Sequence, residues 1–241
     1  APSDRAEALH ATDSSDCPVC GAELTFTSSY YGHLGHWECP AGDFTRPEPA
    51  HAATQVKPLG FKGSSLTLKL GPDELTLALP LPGLYSVYNA LEAAALASYL
   101  EIPSTTVKRA LESYRSVFGR IETVEVAGHE VVIVLVKNPA GFNQALSLLE
   151  LEPGTKPLLL ALNDRFADGT DVSWIWDCDF EHVGKLTHHL TTTGIRASEL
   201  TLRLKYARLD PADVRQLPEL GPALDQALNG LKVGERLYVL P

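Results

Sequence analysis

Three stretches of this 241-residue chain combine side-chain types and spacings that could do chemistry. Cys17-Pro-Val-Cys20-Gly puts two thiols on one tight turn, and Cys39-Pro-Ala-Gly-Asp43 offers a third after eighteen intervening residues. Thiolates on such knuckles ligate zinc tetrahedrally, in a closed site that replaces missing core and performs no catalysis. The fourth knuckle position is Gly42, which cannot ligate; either Asp43, His36 or His33 substitutes, or the knuckle is vestigial and binds no metal. The second stretch is Val136-Lys137-Asn138-Pro139-Ala140-Gly141, which follows an apolar run and opens a helix. Ligands of doubly wound sheets sit at such strand ends, where Lys137 and Asn138 would suit a nucleotide. Read blandly, it is a strand-to-helix turn with Asn138 as cap and Pro139 at the first helical position.

The third stretch runs from Leu162 to Asp177 and packs four aspartates and two of the chain's three tryptophans into one segment. Carboxylates there could orient a histidine or bind a cation, and amphipathic tryptophans favour interfaces. Equally, Asp168-Gly169 is a turn signal, Asp171 could cap a helical turn, and the tryptophans could be core. No nucleophile elbow and no Gly-rich phosphate loop ending in Lys-Ser or Lys-Thr occurs anywhere. His188 and His189 read as a partly buried strand pair, and Cys178 as a plain buried thiol.

The elements that must position these groups follow from hydrophobic periodicity. The two cysteine turns, joined by a hairpin, form a small insertion over about residues 16–46. Leu66, Leu68 and Leu70 alternate with polar residues, as do Leu75, Leu77 and Leu79, around the turn Gly71-Pro72-Asp73, which predicts a hairpin with one wet face. Val87, Tyr88, Leu91, Ala94 and Ala95 then fall on one helical stripe. Val107, Ala110, Leu111, Tyr114, Val117 and Phe118 form a second, with Ser104 as N-cap. Phe118-Gly119-Arg120 breaks that helix, and a second domain begins there. It opens with a hairpin at Ala127-Gly128 whose six-residue apolar run, Val131 to Val136, suits a strand covered on both faces. Helices from about Ala140, Ala197 and Ala223 alternate with strands at Leu158, Leu190 and Leu237, which implies a mostly parallel, Rossmann-like sheet. The expected fold is α/β, with domains at 1–118 and 119–241.

Composition fits a globular protein: 44% apolar and 21% charged residues, with no apolar run long enough for a membrane span. A net charge of −10 without a basic cluster makes the electrostatics of nucleic-acid binding repulsive, so no such partner is expected. Four cysteines are too few for a secreted disulfide scaffold, which points to a reducing, cytoplasmic setting. The chain has no methionine and no signal segment, and its last residues read as a strand with nothing after it; it is expected to be a piece of a longer protein.

Taken together, these segments resemble the later two-thirds of the MurT family of Mur ligase-like proteins. Gly83-Leu84-Tyr85-Ser86-Val87-Tyr88-Asn89-Ala90-Leu91 is similar to the Gly-x-x-Asn-x-x-Asn-Ala-Leu stretch of the Mur ligase central domain, with Ser86 in place of the first Asn. Phe118-Gly119-Arg120 resembles the Gly-Arg that ends that domain, and Lys137-Asn138-Pro139-Ala140-Gly141 the His-Asn-Pro turn of the C-terminal domain. The run Asn163-Asp164, then Ala167-Asp168-Gly169-Thr170-Asp171, then Ser173-Trp174-Ile175-Trp176-Asp177 is the most specific match. The resemblance implies a central-domain remainder with a zinc-ribbon-like insertion, followed by a Rossmann-like C-terminal Mur ligase domain, without the N-terminal phosphate loop.

It further implies an ATP- and Mg2+-dependent synthetase that phosphorylates the D-glutamate α-carboxyl of lipid II, with ammonia supplied by a GatD-like glutaminase partner, and an isolated fragment that is inactive. Asp171 is the residue implied to complete the partner's Cys-His pair. Asn89, Arg120, Lys137 and Asn138 are the implied nucleotide-side residues; Cys17, Cys20 and Cys39 are the candidate metal ligands. Two other readings compete: a Mur-like amide ligase on another acidic substrate without a glutaminase, and a non-catalytic zinc-ribbon interaction module.

Overall fold

The computed structural model describes residues 15–31, 34–115 and 121–241. The chain divides into two compact units, Ala1–Arg115 and Ser116–Pro241.

In the first unit, a hairpin of β1 (Thr25–Tyr31) and β2 (Leu34–Glu38) lies between the two cysteine turns. A three-stranded antiparallel sheet follows, in the order β3 (His51–Pro58), β4 (Ser64–Leu70), β5 (Asp73–Leu79). The register pairs Leu66 with Leu77 and Leu68 with Leu75, so the alternating leucines share one buried face, as their period of two dictates. Two helices cover that face: α1 (Leu84–Tyr99) contributes Val87, Ala90 and Ala94, and α2 (Ser104–Ser113) contributes Val107. Gly63 enters β4 at φ +110°, where a Cβ would stand 2.1 Å from the Leu79 carbonyl, so no other residue fits there.

Two expectations for α2 are corrected. Pro103, already extended, is the flanking residue and its carbonyl accepts the Val107 N–H; Ser104 is the first helical residue and makes no cap. The helix stops at Ser113 because Tyr114 turns extended, which takes Tyr114 off the buried stripe. Val117, Phe118 and Arg120 lie outside the described residues.

The second unit is a six-stranded sheet in the order β10 (Val214–Gln216), β9 (Thr187–Thr193), β8 (Lys156–Ala161), β11 (Leu237–Leu240), β7 (His129–Ile133), β6 (Glu122–Val126). Only β6 runs antiparallel, joined to β7 through Ala127 and Gly128, both at positive φ. The remaining strands are parallel. As the chain advances from β7 through β8 and β9 to β10 it passes through α3 (Pro139–Leu151), α4 (Val183–Leu186) and α5 (Ala197–Tyr206), which the right-handed rule for parallel crossovers assigns to one face. The return to β11 puts α6 (Leu220–Asn229) on the other, where Ala223, Ala227 and Leu228 pack on Val131, Leu159 and Leu237. On the first face Phe142 of α3 stacks on Phe180 at 4.4 Å between ring centres.

The apolar run Val131 to Val136 is not one doubly covered strand. β7 ends at Ile133; the Val134 and Val136 N–H groups still bond to the Val239 and Pro241 carbonyls, while the intervening Leu135 is 40% exposed. The stretch after β8 is also more ordered than a loop, holding short 3₁₀ turns at Ser173–Asp177 and Phe180–His182 before α4.

Candidate functional site

The carboxyl ends of β7 and β8 bring two of the three candidate stretches together. After β7 the chain passes Lys137 and Asn138 into α3, and the Asn138 Oδ1 accepts the Gly141 N–H at 2.7 Å with Pro139 next in line. Asn138 is therefore a working N-cap, exposed at the strand end. Lys137 Nζ donates to the Ala167 carbonyl at 3.3 Å, tying this turn to the loop that leaves β8.

That loop is anchored at both ends. At its start the Asn163 Oδ1 accepts the Ile195 N–H at 3.1 Å, and Arg196 pairs with Asp164 at 2.6 Å and with Glu199 at 2.7 Å. Gly194, at φ +95°, admits the close approach: a Cβ would lie 2.3 Å from the Leu162 carbonyl. At its end, Asp171 is exposed, and its Oδ1 accepts the Ser173 N–H at 2.8 Å at the head of the 3₁₀ turn. That backbone hydrogen bond holds its carboxyl below the usual aspartate range, so it is an anion at neutral pH. Its hydrogen-bond partner within the chain is Ser173, not a histidine.

The tryptophans divide. Trp174 is half-buried, whereas Trp176 is 48% exposed and meets the exposed ring of Tyr206 edge-on at 5.5 Å. The residue that fixes this surface is one the sequence did not reveal. Arg203 of α5 is buried, and its guanidinium donates to the Ile175 and Cys178 carbonyls and to both Glu181 oxygens, with the Trp176 and Phe180 rings against it. An arginine on an amphipathic helix carries no signal that separates a clamp from a solvated charge. Cys178 is buried, and desolvation pushes its thiol up to about 12, so it is inert as a nucleophile.

In the first unit, Asn89 is exposed on α1, and Ser86 is buried with its hydroxyl donating to the Pro82 carbonyl at 2.7 Å. Arg120 and His33 lie outside the described residues. The donor atoms of Cys17, Cys20, Cys39 and Asp43 all lie within 4.8 Å of one another. His36 is not among them; it is exposed and meets Tyr30 edge-on. Beneath the cluster is a very small core: Cys17, Leu24 and Cys39 with Ala22, Phe26, Trp37 and Phe44. Such a core is a weak one by itself, which is the setting where a structural metal contributes folding energy.

Among the described residues, no helix is long and apolar enough to cross a membrane.

Comparison with known proteins gives three kinds of match. Residues 135–241 match the family MurT ligase C-terminal. The chain is 35% identical over 190 residues to the MurT subunit of the glutamine-hydrolysing lipid II isoglutaminyl synthase of Streptococcus pneumoniae, covering 78% of this chain and 42% of that protein. It is 35% identical over 195 residues to the same subunit from Staphylococcus aureus, covering 80% and 43%. The chain thus spans less than half the length of these relatives. In fold it is similar to a pseudomurein peptide ligase type C from Methanothermus fervidus, with a TM-score of 0.73, 22% identity, and coverage of 96% of this chain and 47% of that one.

Proposed function

Residues 135–241 belong to the MurT ligase C-terminal family and most of the chain is MurT-like, and on that premise we propose that it is part of the synthetase subunit of a glutamine-dependent amidotransferase. The reaction is amidation of the D-glutamate α-carboxyl of lipid II. Phosphorylation of the carboxylate by ATP makes phosphate the leaving group; ammonia attacks the acyl carbon, phosphate departs, and D-isoglutamine remains. Ammonia comes from a glutaminase partner of the GatD type, and the work is done in the cytoplasm at the membrane surface.

The observation that carries this reading is Asp171: an ionised, exposed carboxylate whose Oδ1 accepts the Ser173 N–H and which, among the described residues, has no histidine hydrogen-bonded to it. A carboxylate so placed can accept the ring N–H of an imidazole on another molecule, fix its tautomer and stabilise the imidazolium that forms when a cysteine is deprotonated. The exposed rings of Trp176 and Tyr206, which meet edge-on in the same unit, give an aromatic surface of the kind found at interface cores.

For the nucleotide, this chain's candidates in the second unit are Lys137 and Asn138 at a strand end, and the resemblance adds Asn89 and Arg120; the sequence holds no phosphate loop. Bound ATP with Mg2+ supplies the phosphoryl group. Lys137 offers a cation to phosphate, and Asn138 fixes the helix whose N-terminus favours anions. The cysteine cluster is read as a structural zinc site outside this chemistry.

The test is an amidation assay with the full-length protein, lipid II, ATP and glutamine, with and without a co-expressed glutaminase. Product formed from glutamine only when the glutaminase is present supports the reading. Equal product from free ammonia by a protein that never associates with a glutaminase favours an independent Mur-like ligase, and no ATP consumption at all favours a binding module.

A further inference from the structure

We propose that Asp43 is the fourth ligand of the zinc site, giving this chain a centre of three sulfurs and one carboxylate oxygen. The two cysteine turns are built on one plan. Each is closed by the N–H of its first cysteine donating to the carbonyl five residues on: Cys17 to Ala22 at 2.7 Å, and Cys39 to Phe44 at 3.2 Å. Each contains one left-handed glycine, Gly21 at φ +73° and Gly42 at φ +74°.

The plans differ in where that glycine falls. In the first turn it follows the second ligand, so that Cys20 stands three residues after Cys17. In the second it takes that third place itself, and the side chain that returns to the cluster is the next one, Asp43. Gly42 is therefore not a lost ligand alone; it is the residue whose backbone turns Asp43 inward, with its N–H on the Cys39 carbonyl at 2.9 Å.

Two of the six edges come close to those of a tetrahedron, and all four donor atoms lie within 4.8 Å of one another. A zinc about 2.3 Å from each sulfur and about 2.0–2.2 Å from an oxygen implies edges of roughly 3.8 Å between sulfurs and roughly 3.6 Å between sulfur and oxygen. Cys20 Sγ to Cys39 Sγ is 3.5 Å, and Cys17 Sγ to Asp43 Oδ1 is 3.5 Å. Cys17 and Cys39 are buried, whereas Cys20 and Asp43 are exposed, so the metal sits at the rim of the small core with its oxygen ligand toward solvent. A carboxylate is a harder donor than a thiolate, and this one is open to water. The site is consequently more exchangeable than one with four thiolates, and it regains tightness if the fourth sulfur is restored.

This inference rests on reading the cluster as a zinc site, and the experiment separates the two. Purified protein is analysed for zinc and by X-ray absorption at the zinc edge. Cobalt(II) is then titrated into the wild type, Asp43→Ala and Asp43→Cys, following the thiolate-to-cobalt charge-transfer band and the affinity in competition with a chelator. The expected results are about one zinc per chain with three sulfur neighbours and one oxygen, affinity weakened at least on the order of tenfold in Asp43→Ala, and a stronger charge-transfer band with tighter binding in Asp43→Cys. A chain that binds no metal overturns the zinc reading itself. Metal bound with equal affinity and an identical spectrum in wild type and Asp43→Ala keeps the zinc and overturns Asp43 as its ligand.

Discussion

Replacing Arg203 with methionine isolates what the buried guanidinium does. The substitution keeps a long, flexible stem against Phe180 and Trp176 but leaves two backbone acceptors in a buried region, the Ile175 and Cys178 carbonyls, without their donor. Each unpaired buried acceptor costs about 1–3 kcal/mol. The Glu181 carboxylate, with half of its side chain exposed, rehydrates and adds less than about 1 kcal/mol. Sparing the desolvation of a cation offsets part of the loss, so the net destabilisation should be about 3 kcal/mol. At a urea dependence of about 1–3 kcal/mol per molar, the midpoint falls by about 1–3 M. Urea titration followed by tryptophan emission suits the purpose, because Trp174 and Trp176 lie in or beside the segment that Arg203 holds. Glu181→Gln, measured alongside, should shift the midpoint far less. An Arg203→Met transition superimposable on the wild type would show that the clamp contributes nothing and that the 173–182 segment is ordered by other contacts.

Burial, with Arg215 and His188 nearby, depresses the His189 imidazole, whose Nε2 is buried without a partner, while Glu235 opposes the shift. A group with a lowered folded pKa contributes stability that is complete above its unfolded value of about 6.5 and is lost as pH falls through the folded value. His189→Phe should therefore flatten the acid limb of thermal stability below about pH 6.5, read by melting temperature against pH; an unchanged limb contradicts it. Gly194→Ala forces a Cβ against the Leu162 carbonyl from a left-handed backbone and should cost more than about 2 kcal/mol, measured by the same urea titration. Wild-type stability in that variant would mean the turn relaxes freely.

Much of this was legible in the sequence where one period dominates. Alternating leucines marked β4 and β5, and the apolar stripes marked α1, α3, α5 and α6, because burial on a single face imposes its own repeat. The pattern failed where backbone pairing outweighs side-chain burial. β3 is bulged and carries Thr54 and Gln55 on its edge of the sheet, and β10 is a three-residue edge strand with one buried side chain. The 3₁₀ turns after β8 are too short to show a period at all. At the site, the Leu162–Asp177 stretch stood out by composition, while Asp171 was singled out within it only by the family resemblance. The sequence could not show that Lys137 reaches Ala167, that Arg203 is turned inward, or that Asp43, among three candidates, meets the cysteines, because each depends on chain segments far apart in sequence.

If Asp171 serves an imidazole on a different molecule, glutamine hydrolysis by the assembled complex depends on its charge. Asp171→Asn keeps the shape and the turn to Ser173 while removing the charge. The full-length variant, co-purified with its glutaminase, should hydrolyse glutamine about 10³- to 10⁴-fold more slowly than the wild type, the scale of loss when a triad carboxylate is neutralised, with association and the fold unaltered. Hydrolysis within tenfold of wild type by an intact complex would contradict the claim.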